Sequence, residues 1–154
     1  MAKSVQTTTD GNIAMVRVSE LWVVASGSRP ITDRAWQEYL EIAGESVKAE
    51  GPFHGLLLWW PLNAPTSAQR NMLVEKYADT VRLDQQRRAA VVAESLIIRG
   101  AMTAIGWFSK GGTIVKPFSP ADPKAPLDWL AEDCKFDRAE AEDARLRSIA
   151  ACVK

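Results

Sequence analysis

The chain predicts an α/β domain with a five-stranded mixed sheet, and three observations carry that class. Apolar runs at Phe53 to Trp60, Ala89 to Ala93 and Thr113 to Phe118 have strand length, and each leads within a few residues into a helical pattern. That alternation is the sequence form of a parallel sheet with helical crossovers. Upstream, Ile13 to Val18 and Leu21 to Ala25 are separated by Ser19 and Glu20 alone. Two strands so closely joined form an antiparallel hairpin, so the sheet as a whole is mixed.

Each element has its own local reason. Met1 to Asn12 is polar and threonine-rich, without the order of basic and apolar regions of a secretory signal, and residues 1–11 read as a disordered tail. The first helix starts at Thr32 as N-cap, with Asp33 in the first turn and Ile31 and Trp36 at staple positions; Trp36, Leu40, Ala43 and Val47 continue one face, and Gly51 with Pro52 ends it. Phe53 to Trp60 is apolar almost throughout, as a strand covered on both faces requires. Thr66 and Gln69 have capping-box spacing for a second helix carrying Leu73, Tyr77 and Val81.

Asp84 to Arg88 reads as a polar connection, and Ala89 to Ala93 as a small-residue strand. A third helix, about Leu96 to Phe108, is apolar around its whole circumference and needs cover on its outer side. Gly111 and Gly112 end it, Thr113 to Phe118 is the last strand, and a proline-rich turn precedes a short helix beginning at Leu127. Beyond Asp137 the acids come early and the bases late, the order of a terminal helix, with a thin apolar stripe of Leu146, Ile149 and Val153. The expected organisation is a domain over 12–134 and a helical extension over 135–154.

Composition narrows the function classes. Lysine plus arginine and aspartate plus glutamate both number 19, which removes the long-range field that gathers nucleic acid, so no nucleic-acid partner is expected. Arg82, Arg87 and Arg88 form a local basic cluster that reads as complementing a helix end. No apolar stretch reaches the length of a transmembrane segment. Cys134 and Cys152 lack metal-ligand spacing and the single histidine is His54, so neither a metal nor another cofactor is expected, and reduced thiols point to the cytoplasm.

The order strand, strand, helix, strand, helix, strand, helix, strand, helix resembles that of the STAS domain of bacterial anti-sigma-factor antagonists. The segments that carry the likeness to its divergent SpoIIAA-like branch are Ala90 to Ser95 running into Leu96 to Thr103 with Arg99-Gly100, then Lys116 to Phe118, then Leu127 to Leu130. The resemblance spans about Ile13 to Leu130, and its specific part is the last third. It implies a small non-enzymatic domain that signals by docking to protein partners. The phosphorylated serine of the antagonists sits in an Asp-Ser-Ser-Gly-like loop, where this chain has Leu62 to Gln69 and keeps the position without the motif. Thr66 and Ser67 are therefore candidate phosphorylation sites, with helix capping as the competing role.

Candidate chemistry follows from position. Ligands of parallel sheets gather at the strands' carboxyl ends, where Trp60, Asn63, Glu94, Ser95, Phe118 and Ser119 are expected, with Arg99 one helical turn beyond Ser95. Adjacent Trp59 and Trp60 point to opposite faces of their strand. Met102, Ile105, Trp107 and Phe108 on the third helix form a candidate apolar interface for a protein partner or a second copy. A small apolar or lipid-like ligand between helix and sheet, as in CRAL-TRIO domains, is the alternative. No catalytic residue is assigned: His54 lies at the strand end opposite the cleft, and no phosphate-binding glycine loop opens a helix.

Overall fold

The computed structural model describes residues 3–59, 65–77, 87–93 and 113–152. They form β1 (Gln6–Thr7), β2 (Ile13–Val18), β3 (Leu21–Ser26), α1 (Asp33–Glu50), β4 (Gly55–Trp59), α2 (Ser67–Tyr77), β5 (Arg87–Val92), β6 (Thr113–Phe118), α3 (Lys124–Ala131) and α4 (Arg138–Ala151). The strands make one sheet in sequence order, antiparallel from β1 to β3 and parallel from β3 to β6. The α/β class and the mixed sheet are as expected; the strand number is six, not five. The additional strand is β1, inside the stretch read as a disordered tail, where two residues pair with Met15 and Ala14. The helix expected at Leu96 to Phe108 lies outside the described residues.

Strand alternation sorts the core into two layers. Ile13, Met15, Trp22 and Val24 face α1, packing with Trp36, Tyr39, Leu40 and Ala43. Val16, Val18, Leu21, Val23, Leu57, Ala90 and Val92 face the other way, against Leu127, Leu130, Ala141 and Ala144 of α3 and α4. Trp59 belongs to this second layer.

The helix starts read from the sequence are built as capping predicts. Thr32 Oγ1 accepts from the Ala35 N–H at 3.1 Å, and Gly51 adopts φ 84°, a conformation that favours glycine, as α1 ends. At α2 the box is reciprocal: Gln69 N–H donates to Thr66 Oγ1 at 3.1 Å, and Thr66 N–H donates to Gln69 Oε1 at 3.0 Å. Gln69 is also fully buried, donating from Nε2 to Ile31 O and Asp33 Oδ1, while its own carbonyl accepts from the Trp36 indole at 2.7 Å. Gln69→Ala removes the Oε1 half of the capping box and the Nε2 bonds to Ile31 O and Asp33 Oδ1, while the backbone bonds to Thr66 Oγ1 and the Trp36 indole remain, so it is expected to cost about 2 kcal/mol, read as a lowered urea midpoint. A midpoint within error of wild type would show that these side-chain bonds add nothing.

Two sequence readings need correction. Arg87 and Arg88 begin strand β5 instead of ending a helix. Arg88 is held there by α3 and the residues after it, donating to Trp129 O at 2.7 Å, pairing with Glu132 and Asp133 at 3.0 Å, and lying 4.9 Å from the Trp129 ring centroid. On α4 the buried face is Ala141, Ala144, Arg145 and Ser148; of the expected stripe Leu146 is 53% exposed, Ile149 packs beside Ala14 and Ala25, and Val153 lies outside the described residues. Small residues let the helix lie close to β2 and β3. Arg145 can join them because its guanidinium lies 4.7 Å from the Trp59 ring centroid and pairs with Glu142.

The far edge of the sheet ends on a proline. Ala93 N–H donates to Phe118 O, so Phe118 turns its backbone groups toward β5 and Pro117 turns its own away. Its missing N–H therefore costs no ladder bond. Among the described residues no helix is long and apolar enough to cross a membrane.

Candidate functional site

Of the cleft residues expected at the strands' carboxyl ends, Trp60, Asn63, Glu94, Ser95 and Arg99 lie outside the described residues, as do Met102, Ile105, Trp107 and Phe108 of the expected apolar interface. Phe118 and Ser119 are described, and each is engaged locally. Phe118 packs on Trp129 with ring centroids 5.8 Å apart, and Lys116 Nζ lies 5.4 Å from its ring centroid. Ser119 Oγ accepts from the Ala121 N–H in the turn before α3. Thr66 and Ser67 are exposed at the start of α2, where Thr66 carries the cap. His54 sits at the amino end of β4, its N–H donating to Glu20 O and its carbonyl accepting from Arg88 N–H.

A different feature stands out at the opposite side of the sheet. Antiparallel pairing of β1 with β2 ends at Gln6 and Met15, and residues 3–5 lie outside the ladder. Arg147 donates to Lys3 O on the α4 side, and Lys3 pairs with Glu50 on the α1 side. Between this segment, β2 and α1 lies a groove of about 720 Å³. Val16, Trp22 and Ile42 give it apolar lining, and Glu41, Glu45 and Glu50 supply carboxylates.

Arg17 holds the groove's inner wall in place. It is 6% exposed within a strand that is otherwise apolar. Nη1 donates to Gly51 O at 2.6 Å and to Ser46 O at 3.3 Å, Nη2 donates to Pro52 O at 3.3 Å, and Nε donates to Ser19 O at 2.8 Å. One guanidinium thus satisfies the carboxyl end of α1 and pins the β2–β3 turn, whose Ser19 has φ 53°. Burial lowers the Arg17 pKa from its ordinary value, with Glu20 opposing that shift. No sequence motif marked Arg17; the available signal was a single arginine inside an apolar strand.

Burial also lowers the Arg87 pKa, and the other perturbed groups are structural in their geometry. Glu38 accepts from Thr9 N–H and Oγ1, which hold its carboxyl below the usual range and tie the β1–β2 connection to α1. Arg145 does the same for Glu142 through a paired hydrogen bond. Cys134 and Cys152 are buried free thiols, and burial first of all pushes each pKa up to about 11, which keeps them protonated and poorly nucleophilic near neutral pH. Among the described residues no cluster of histidine, cysteine, aspartate or glutamate could hold a metal ion. Compared with protein-family models, with curated proteins and with solved structures, the chain matches none.

Proposed function

We propose that this chain is a non-catalytic protein-interaction domain of the SpoIIAA-like kind, regulatory or structural in role. The observation that carries the reading is the groove beside the unfinished β1–β2 ladder, which offers a partner a strand edge, an apolar lining and carboxylates at one place. The strongly shielded cations support it from the other side. Arg17, Arg88 and Arg145 are committed to carbonyls, carboxylates and rings of this same chain, so they hold the fold together. An antiparallel start followed by sequential parallel strands also agrees with the element order that the family resemblance implies.

The groove's volume falls within the range of small-molecule sites, which keeps an apolar ligand as the competing reading. Native and denaturing mass spectrometry of the protein purified from its own cells separates the two. A dimer or hetero-complex with no extra small-molecule mass is the expected result. Extra mass lost on denaturation would make the chain a ligand carrier, and a bare monomer would also count against the interaction reading.

A further inference from the structure

Resting on the interaction reading, we infer that the groove receives a basic, extended peptide segment that adds to the β2 edge at Arg17. The edge itself is the first argument. Thr8 N–H donates to Ile13 O, and Gln6 faces Met15, so alternate β2 residues turn their backbone groups outward and Arg17 is the next in that series. Ser4 stands at the register position opposite Arg17 but is not paired with it as a strand, and both line the groove. An incoming strand continues the ladder where β1 leaves it.

Charge supplies the second argument. Glu41 and Glu45 stand one turn apart on α1, both exposed and both lining the groove. Among the described residues no cation lies within 4.0 Å of Glu41, and Glu45 has only Lys48 at 3.9 Å. Two neighbouring carboxylates repel on a helix, and a bound cation relieves that repulsion. A third observation concerns Trp22, which lines the groove at 1% exposure while its buried indole N–H has no acceptor among the described residues. Trp22 shares the groove's apolar lining with Val16 and Ile42, so its indole reports on whatever fills the groove. Because successive side chains of a strand alternate, lysines or arginines at every second position turn toward α1 while the intervening apolar residues lie toward Val16.

The test is a titration of the full chain with an end-blocked peptide of alternating lysine and valine, followed by amide and indole NMR shifts. Saturable shifts are expected at the Arg17 amide and the Trp22 indole, and an alternating glutamate and valine peptide is expected to leave them unmoved. Glu41→Gln with Glu45→Gln, both surface changes, should weaken binding about fivefold to tenfold. Glu41→Lys with Glu45→Lys should reverse the peptide preference. No saturable binding, shifts located elsewhere, or equal affinity for wild type and the glutamine variant would overturn the assignment. If the chain still leaves its host as a complex, only the groove assignment falls; if it emerges as a bare monomer, the interaction reading falls with it.

Discussion

Arg17→Met is expected to destabilise the domain by about 3 kcal/mol, lowering the midpoint of thermal unfolding by roughly 10 °C. Methionine keeps much of the apolar stem but none of the donors. The carbonyls of Ser46, Gly51 and Pro52 at the end of α1, and of Ser19 in the turn, lose their shared guanidinium. Hydrogen bonds from a charged donor are worth more than neutral ones, and orphaned carbonyls in a covered position add their desolvation cost. Arg17→Lys should recover only part, since an ammonium does not reproduce the planar fork that reaches helix end and turn together. Chemical denaturation checks both variants. A methionine variant within 1 kcal/mol of wild type would mean that water replaces the guanidinium without loss.

Gly55→Ala should cost about 1–3 kcal/mol, and Cys134→Ala placed in the same chain should recover much of it. A methyl group at Gly55 would meet Cys134 Sγ at 2.7 Å and Leu21 Cδ1 at 3.1 Å, so the strand or the segment after α3 must shift. The sign makes the test sharp. Alanine within a strand is ordinarily better than glycine by about 0.5–1 kcal/mol, so a site without the clash would be stabilised. Unfolding midpoints of the two single variants and the double variant measure the coupling. A stabilised Gly55→Ala protein, or a double variant no better than the sum of its parts, would show that β4 relaxes away from Cys134.

Features set by neighbouring residues were legible in the sequence, and features set by distant ones were not. Thr32 and the Thr66–Gln69 pair act within one helical turn, so their spacing revealed them. The hairpin of β2 and β3 was legible from two apolar runs and a two-residue turn. By contrast, β1 is two residues long, too short for any period, and forms because β2 offers it partners. Arg88 reads as a loop residue until Trp129, Glu132 and Asp133 arrive from more than forty positions away. The docking face of α4 escaped a search for large apolar residues because alanines make it, with an arginine stacked on Trp59. The groove draws on the N-terminal segment, β2, β3 and α1 together, so no contiguous motif represents it.

The two margins of the sheet have a consequence for assembly. At one margin stands β1, two residues long; at the other, β6 turns Pro117 outward. Among the described residues neither presents a long uninterrupted row of donors and acceptors, so neither is a template on which copy after copy can stack. Sheet growth by this domain is consequently terminating. On the proposed docking, a guest strand beside Arg17 has no equivalent at the β6 margin among the described residues. If the groove takes a peptide as proposed, the expected complexes are closed and of fixed stoichiometry, and raising the protein concentration should fill them without producing fibres.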